Sequence, residues 1–324
     1  MIMKYYTYLA LMLLAARCAF TQTNADEHEW KATVKVVDEN GSPVAKASVK
    51  VGYYIKNTSV DIGGITDTNG IFVAVRTTST FNYVEYALAF VIEKEGYYRT
   101  FSKCDLGLPY DASKWNPTIT LLLKKIGKPI AMYAKWVNSE PAAFKKTGQP
   151  PIVFKKDIGY DLMVGDWIAP YGKGLTTDII FTEEFNKKSV FDYDYKFTIS
   201  FPNTGDGIQE FTVPDAEKGS GLRSPHEAPN DSYQSPMVRE NFHHSDHTGK
   251  TDYDPNRNYF FRVRTVLDER GKVKSALYGK IYGDPLQMNF HYYLNPTPNS
   301  RNIEFDPKQN LLGGLEAFEQ VRQP

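Results

Sequence analysis

The sequence has little cysteine, no surplus of charge of either sign and no long apolar run beyond its amino terminus. Its 324 residues include only 2 cysteines, so a disulfide-dense scaffold is excluded. The 38 basic residues balance 38 acidic ones, which argues against a nucleic-acid partner because such proteins carry a basic surplus. No later stretch approaches the ~18 apolar residues of a membrane-spanning helix, so no integral membrane segment is expected after export.

The amino-terminal residues have the pattern of a secretory signal peptide. A positive charge precedes an apolar run, and Thr23 and Ala25 are small residues placed for cleavage after Ala25. We therefore predict a signal peptide at residues 1–25 and an exported protein that is periplasmic, extracellular or associated with the outer surface. Cys18 follows apolar residues, but Arg17 stands where lipoprotein signals have a small residue, so no lipid anchor is predicted at Cys18.

Aromatic residues and strand-like alternation dominate the rest of the sequence. There are 22 tyrosines and 19 phenylalanines, and both residue types favour half-buried strands. In Asp192–Phe201, large apolar residues alternate with polar ones, which predicts a strand with one buried face. Similar alternation predicts a hairpin of residues 261–267 and 273–283, and a strand over 286–294. Only Leu311–Val321 has a helix-like spacing, so we predict an all-β fold.

Residues 28–126 contain several turn motifs between short strands. The motifs are Asp38-Glu39-Asn40-Gly41-Ser42-Pro43-Val44, Ala47-Ser48-Val49-Lys50-Val51, Thr66-Asp67-Thr68-Asn69-Gly70-Ile71-Phe72 and Glu95-Gly96-Tyr97. In this order and spacing they resemble the carboxypeptidase-regulatory-like family. The resemblance implies a seven-stranded Ig-like or prealbumin-like sandwich that serves as a secreted accessory module without catalytic residues. Asp67 and Asn69 are expected to bond their own turn, because calcium needs more oxygen ligands than this pair offers.

Residues 127–324 follow a break at Gly127-Lys128-Pro129 and resemble no family that we recognise. Their two-faced strands predict a second antiparallel β-sandwich or a jelly-roll-like domain. Within this domain, residues 214–258 are rich in proline and polar side chains and show little periodicity. We predict a long loop there, and loops of this length in compact domains are usually functional or disordered.

The predicted loop holds a cluster of possible metal ligands. His243, His244 and His247 lie close together in the sequence, with Asp246 among them. Imidazole and carboxylate groups together suit zinc or a similar divalent ion. The segment is not plainly helical, however, so the spacing need not bring the side chains together. We expect no cofactor, and we keep a divalent metal at these four residues as the alternative.

A second candidate site is a platform of aromatic rings for a ligand such as a glycan. Tyr278, Tyr282, Tyr293 and Trp136 could form it, provided that the face of the 273–283 strand carrying Tyr278 and Tyr282 is exposed. The other interpretation is that these rings fill cross-strand pairs in the core.

Together the patterns predict a secreted, non-catalytic binding or adhesion protein of the cell envelope, with a glycan or a surface protein as its partner. The sequence has no zinc-peptidase motif, no nucleophile elbow and no phosphate-binding loop. Two alternatives remain. The first is a polysaccharide-acting or metal-dependent hydrolase that uses the histidine-rich loop, and the second is a structural component of a surface assembly.

Overall fold

The structure is a computed structural model that describes residues 28–55, 58–78, 86–106, 116–138, 157–213, 219–254, 256–285 and 289–324. The predicted signal peptide and Cys18 lie outside the described residues. Within the described ranges the chain forms strands and turns and no α-helix, which confirms the all-β prediction.

The chain divides into two compact units. The first takes in Met1–Val37, Ser42–Ile92 and Ser102–Leu121, and the second takes in Asp38–Gly41, Glu93–Phe101 and Leu122–Pro324. The domains predicted from the sequence, 28–126 and 127–324, follow turn motifs and a linker rather than this division, and they stay a prediction.

Seven strands that lie mostly in the first unit form two sheets. They are β1 (His28–Val37), β2 (Ser48–Ile55), β3 (Thr58–Ile65), β4 (Ile71–Thr78), β5 (Tyr86–Glu93), β6 (Thr100–Leu106) and β7 (Thr118–Leu122). One sheet has the order β4-β1-β7 and the other β3-β2-β5-β6. The Tyr53 hydroxyl of β2 donates a hydrogen bond to the Ala74 carbonyl of β4 at 3.1 Å, which joins the two sheets. The prediction of a seven-stranded sandwich is confirmed.

The turn between β3 and β4 shows why its residue types are needed. Gly70 has φ +73°, and a Cβ there would lie 2.4 Å from the Val36 carbonyl oxygen, so only glycine fits. Asp67 Oδ1 accepts hydrogen bonds from the backbone N–H groups of Asn69 and Ile71 at 2.9 and 2.8 Å. Asp67 therefore bonds its own turn, as the sequence predicts.

Twelve described strands form two sheets in the second unit. They are β8 (Ile130–Asn138), β9 (Ile158–Asp161), β10 (Asp166–Trp167), β11 (Ile179–Ser189), β12 (Asp192–Ser200), β13 (Gly207–Phe211), β14 (Met237–His243), β15 (Gly249–Lys250), β16 (Asn258–Leu267), β17 (Val273–Tyr282), β18 (Asn289–Leu294) and β19 (Phe305–Asn310). The outer sheet has the order β10-β9-β11-β12-β14-β15, and the central sheet has the order β13-β16-β17-β18-β8-β19. The described neighbours pair antiparallel except β19, which is parallel to β8.

The outer and central sheets enclose a hydrophobic core. Its buried members include Phe181, Phe197 and Ile199 of the outer sheet and Phe261, Ile281 and Tyr292 of the central sheet. Full burial of each such side chain contributes about 1.5–3 kcal/mol. Phe197 and Ile199 lie on the predicted apolar face of Asp192–Phe201, so this strand prediction is confirmed. The predicted pairing of the two strands now labelled β16 and β17 is also confirmed.

The central sheet is buried on its other face as well. Met132, Ala276, Tyr278, Tyr282 and Tyr293 belong to a second cluster, together with Ala228, Ile303, Phe305 and Val321 from outside β8, β17 and β18. The last seven residues of β17 are buried without a break. A strand covered on both faces has no solvent-facing side, and this explains why simple alternation describes β17 poorly.

The structure differs from the sequence pattern in two places. Leu311–Val321 is not a helix but an irregular segment with a single turn, in which the Glu319 N–H bonds the Glu316 carbonyl at 2.9 Å. The adjacent Gly313 and Gly314, the latter with φ +69°, interrupt the apolar spacing and disfavour a helix.

The second correction concerns residues 214–258, predicted as a long loop. The described part of this segment contains β14 and β15, and β14 pairs with β12 from Met237 to His243. Its alternation is weak because polar residues occupy both faces, and the edge position of this strand explains that pattern.

Candidate functional site: an aromatic surface on the outer sheet

Five rings form a continuous surface at the end of the hairpin of β11 and β12. Phe185 of β11 lies opposite Tyr195 of β12, and Tyr193 of β12 lies opposite His243 of β14. Phe191 lies in the two-residue turn between β11 and β12. We call these five residues the aromatic strip.

The aromatic strip continues the inner face of the outer sheet beyond the core. Along β12 and its turn, exposure rises from 1% at Phe197, through half-buried Tyr195 and Tyr193, to 71% at Phe191. On β11, Phe181 is 1% exposed and Phe185 is 42% exposed. The period-two pattern that builds the core therefore persists where the rings are no longer covered. A contiguous exposed apolar surface of this kind commonly marks an interaction site.

The rings of the aromatic strip contact one another across three strands. The Phe185 centroid lies 5.9 Å from that of Tyr195 and 6.1 Å from that of Tyr193. The Tyr193 ring is nearly parallel to His243 at 6.5 Å, and Phe191 lies 6.3 Å from His243. Edge-to-face and offset arrangements at such separations are favourable and hold the rings in place.

Two hydrogen bonds orient polar atoms within the aromatic strip. His243 Nδ1 lies 2.8 Å from the Phe191 carbonyl oxygen, and because a carbonyl only accepts, Nδ1 carries the hydrogen. In the neutral ring, Nε2 is then the acceptor. Burial, followed by the charge and hydrogen bond of Glu183, raises the pKa of Tyr195, so its hydroxyl stays protonated and donates to Glu183.

The opposite face of the same strands carries paired charges. Lys196 Nζ lies 2.7 Å from Glu184 Oε1, and His244 Nε2 lies 3.0 Å from Asp194 Oδ1. The hydrogen bond to Glu184 raises the pKa of Lys196. Glu184 is thus engaged by the Lys196 ammonium group and Asp194 by the His244 ring on the charged face, while the rings of the aromatic strip gather on the other face.

The predicted metal ligands do not converge. His243 bonds the Phe191 carbonyl and His244 bonds Asp194. Asp246 Oδ1 accepts from the N–H and hydroxyl of Thr248 at 2.9 and 2.6 Å, and His247 lies in the exposed turn with φ +68°. Among the described residues, no group of three or more histidine, cysteine, aspartate or glutamate side chains is placed to hold a metal ion.

The predicted aromatic platform is wrong for its three tyrosines, because it requires exposed rings. Tyr278, Tyr282 and Tyr293 are 4%, 3% and 0% exposed and belong to the second core cluster. Trp136 is half-buried on β8, where its ring meets His291 edge-on at 5.2 Å and its Nε1 donates to Asn289. Burial, then the charge of Arg223, lowers the pKa of His291 to about 4, so its ring is neutral at pH 7.

A buried lysine lies between two of these buried tyrosines, Tyr282 and Tyr293. Lys280 of β17 is fully buried, and its Nζ donates to Ser224 Oγ at 3.1 Å. The same Nζ lies 4.8 Å from the ring centroids of both Tyr282 and Tyr293. The Tyr282 hydroxyl completes the group by donating to Ser224 Oγ at 3.1 Å. Burial lowers the pKa of Lys280 well below its ordinary value.

A second charged group lies where the outer and central sheets meet. Arg264 Nε and Nη2 lie 2.7 and 3.0 Å from the two carboxylate oxygens of Asp178, and Nη2 lies 3.2 Å from Asp161. Asp178 and Asp161 are 1% and 2% exposed. The two-pronged pairing of the Arg264 guanidinium group compensates the charge of the buried aspartates, so we interpret this group as structural.

Sequence reasoning found the strand that carries Tyr193 and Tyr195 but assigned its rings to the fold, and it missed Phe185 and Phe191 as surface residues. A usable signal existed in Val190-Phe191, two apolar residues in a turn position where polar residues are the norm. Both are exposed, at 68% and 71%. The exposure of Phe185 has no local sequence signal, because it depends on where the central sheet, which faces the outer sheet, ends.

No protein-family model matches the chain. No curated protein matches it either. Solved structures to which it is similar include 3-chlorocatechol 1,2-dioxygenase from Rhodococcus opacus 1CP, at 17% identity and TM-score 0.26 over 31% of this chain and 62% of that one. The match therefore spans less than two thirds of the dioxygenase chain.

Two pilins are also similar to the chain. A shaft pilin from Lactobacillus rhamnosus GG matches at 11% identity and TM-score 0.23 over 56% of this chain and 90% of that one. A streptococcal ancillary pilin matches at 12% identity and TM-score 0.23 over 73% of this chain and 53% of that one. At these scores none of the three structures carries an argument about function.

Across the described ranges, the chain has no helix long and apolar enough to cross a membrane.

Proposed function

We propose that the chain is an exported, non-catalytic binding protein of the cell surface and that the aromatic strip is its ligand-contacting surface. The observation that carries the proposal is the exposure of Phe185 and Phe191, at 42% and 71%, beside the face that carries the buried Phe181 and Phe197. Exposed phenylalanine side chains cost hydrophobic free energy, which contact with a ligand recovers. Aromatic anchors also dominate binding energy at many interfaces.

The experiment measures binding of the full exported chain, labelled with a fluorophore, to isolated cell envelopes of the source organism. The test variant is Phe185→Ala with Phe191→Ala, and the matched control is Phe101→Ala, which removes another phenylalanine that is 55% exposed. We expect the double variant to bind about tenfold more weakly or worse, and the control to bind like the wild type. Equal binding by the double variant and the wild type contradicts the proposal.

Export itself has a separate test. The proposed signal peptide requires that the exported protein begins at Asp26, directly after the small residue Ala25. Amino-terminal sequencing of protein recovered from outside the cytoplasm checks this. A product that begins with a lipid-modified Cys18, or one that retains Met1, contradicts this arrangement.

A second candidate function, a structural component of a surface assembly, is favoured by the edge of β14. This strand pairs with β12 along its length, but β15 pairs only with Phe242 and His243. Within the described residues, the outer edge from Met237 to Asn241 therefore has no ladder partner, and Val238 there is 39% exposed. Such an edge can accept an added strand. Val238→Pro should abolish assembly in chemical crosslinking of intact envelopes, while unchanged crosslinks would reject this role.

We also propose that residues 28–126 are a carboxypeptidase-regulatory-like accessory module. In support, the motif glycines Gly41, Gly70 and Gly96 adopt φ values of +74°, +73° and +78° in turns. The turn N–H of Gly41 bonds the Asp38 carbonyl at 2.9 Å, and that of Gly70 bonds the Asp67 carbonyl at 3.0 Å. Gly41→Val and Gly70→Val should each lower the midpoint of thermal unfolding, because valine disfavours positive φ.

A further inference from the structure

We propose that the peptide bond between Arg223 and Ser224 is a site of self-processing, at which the Ser224 hydroxyl attacks the carbonyl carbon of Arg223. The reaction is a single rearrangement of the chain's own backbone, so it needs no outside substrate and does not depend on the proposed binding function. It requires a nucleophile, a base, an acid for the leaving nitrogen and a cation at the carbonyl oxygen. The described residues of the second unit place one side chain in each of these positions.

The nucleophile and its base are in contact. Ser224 Oγ lies 3.1 Å from Lys280 Nζ, and both side chains are fully buried. Burial lowers the pKa of Lys280 well below its ordinary value, which favours the neutral amine. A neutral amine has a lone pair that accepts a proton, so the same contact can be made with the serine O–H as the donor. An adjacent base of this kind is what activates a serine hydroxyl as a nucleophile.

Side chains hold both ends of the Arg223–Ser224 peptide bond, which lies in an irregular segment outside the strands. The Ser224 N–H donates to the Tyr282 hydroxyl at 3.0 Å, and this hydroxyl donates to Ser224 Oγ at 3.1 Å. Burial raises the pKa of Tyr282, so its O–H stays protonated beside the nitrogen that must gain a proton. Lys124 Nζ donates to the carbonyl oxygens of Arg223 and Ser224 at 3.4 and 3.0 Å, which places a cation where negative charge develops.

The rearrangement balances in atoms and electrons. Lys280 Nζ takes the proton of Ser224 Oγ while Oγ forms a bond to the Arg223 carbonyl carbon. The bond from that carbon to the Ser224 nitrogen then breaks, and the nitrogen gains the Tyr282 proton, which the Lys280 ammonium group restores. The product is an ester between the Arg223 carbonyl and Ser224 Oγ, with a free amine on Ser224. Attack of water on the ester releases the Arg223 carboxylate and divides the chain at this point.

Burial suits a reaction of this kind, because the reacting bond is already in place and no substrate has to enter. Division of the chain also leaves the sandwich assembled. Strands on the two sides of the division pair with each other: β13 with β16, β12 with β14, and β8 with β18. The two products therefore stay together until they are denatured.

Incubation of the full exported chain at neutral pH tests the proposal, with hydroxylamine added to one set of samples because it cleaves esters. Denaturing electrophoresis and mass spectrometry then detect the fragments and identify their ends. The variants are Ser224→Ala, Ser224→Cys and Lys280→Met. The matched control is Ser220→Ala, because Ser220 is a second buried serine in the same segment. Circular dichroism of each variant confirms that it is folded.

We expect the wild type and Ser220→Ala to yield a fragment that begins at Ser224, in larger amount with hydroxylamine. Ser224→Ala should yield none, whereas Ser224→Cys should restore cleavage, because a thiol attacks the same carbonyl. Lys280→Met should slow cleavage by about a hundredfold or more, which is the usual contribution of a positioned base. A wild-type chain that stays intact in hydroxylamine overturns the proposal.

Two further samples distinguish self-processing from a contaminating trypsin-like protease, which also cuts after arginine. Arg223→Gln removes the side chain that such a protease requires but keeps the carbonyl group and the Ser224 hydroxyl, so it should be cleaved like the wild type. Protein unfolded in urea before the incubation should stay intact, because Lys280 and Tyr282 then no longer meet Ser224. Cleavage of Ser224→Ala or of unfolded protein, or none in Arg223→Gln, assigns the cut to a protease and overturns the proposal.

Discussion

Tyr293 on β18 and Tyr193 on β12 occupy comparable places in alternating strands of one sandwich, yet their surroundings are opposite. Tyr293 is 0% exposed and contacts Tyr282 and Phe305 at centroid distances of 5.3 and 5.5 Å. Tyr193 is half-buried and meets Phe185 and His243 in a surface row. Tyr293 and Tyr193 therefore share their residue type and their place in an alternating strand. Whether each ring is buried or exposed is decided by segments that are distant in the sequence.

Coverage is a tertiary property. The face of β17 and β18 that carries Tyr282 and Tyr293 is covered by Ser224, Ala228, Ile303 and Phe305, which come from distant parts of the chain. Among the residues that the structure describes, no such cover lies over the corresponding end of β11 and β12, where Phe185 and Phe191 are exposed. Alternation identifies two faces of a strand but does not say which face is covered.

The most direct test of this comparison removes one ring from the buried cluster and one from the aromatic strip. Tyr293→Ala should lower the free energy of unfolding by about 3–5 kcal/mol, because it leaves a cavity in a closed cluster. Tyr193→Ala is the matched control, and its effect should be far smaller because Tyr193 borders solvent. Urea unfolding followed by fluorescence measures both. Equal losses in the two variants would contradict the assignment of the two faces.

The charged network offers a similar contrast. Arg264→Ala should cost about 3 kcal/mol of unfolding free energy, because it leaves Asp178 and Asp161 buried without their cation. Lys196→Ala removes an exposed partner of Glu184 and should leave stability unchanged within error. Thermal unfolding at neutral pH compares the two. A loss confined to Lys196→Ala would show that the network beside Asp178 is not structural.

The buried amine of Lys280, beside Tyr282 and Tyr293, should make the free energy of unfolding depend on pH. Because burial lowers its pKa, the unfolded chain binds a proton that the folded chain does not, between the folded pKa and the unfolded value of ~10.4. Within that window, as the pH rises toward ~10.4, the stability of the wild type should therefore rise by up to ~1.4 kcal/mol per pH unit more than that of Lys280→Met. The raised pKa values of Tyr292 and Tyr293 act only above this window, where they reduce stability.

Denaturant midpoints across that pH range check the lysine prediction. The variant keeps a side chain of similar length without the amine, so packing around Ser224 and Tyr282 is little disturbed. Parallel pH profiles for the wild type and Lys280→Met would mean that Lys280 is charged in the folded protein. In that case the rings of Tyr282 and Tyr293 would stabilise the ammonium group as a cation–π cage.

The smallest expected effect lies at the hairpin turn. Phe191→Ser should change the free energy of unfolding by less than about 0.5 kcal/mol, since a side chain that is 71% exposed has little burial to lose. Differential scanning calorimetry measures this. A loss comparable to that of Tyr293→Ala would show that Phe191 is a core residue and not part of a binding surface.

The sequence predicts features that follow from local patterns well, and contacts between residues that are far apart in the chain poorly. The strand at Asp192–Phe201, the hairpin of β16 and β17 and the bonds of Asp67 follow from local rules of alternation and turn chemistry. The burial of Tyr278 and the convergence of Arg264 on Asp178 do not, because each depends on segments brought together by the whole fold. The alternative of a metal at His243, His244, His247 and Asp246 depends on local geometry instead, and there His243 bonds the Phe191 carbonyl while His244 bonds Asp194.

The position of the aromatic strip also separates what the hairpin must keep from what it can exchange. Its base is fixed by Phe181 and Phe197 in the core, each 1% exposed, while Phe185 and Phe191 at its outer end are 42% and 71% exposed. Selection can therefore replace the residues at positions 185, 191 and 193 without endangering the sandwich. The outer end of the hairpin can thus be altered as a unit that is independent of the core, which makes these positions the natural place to redesign the surface of the sandwich.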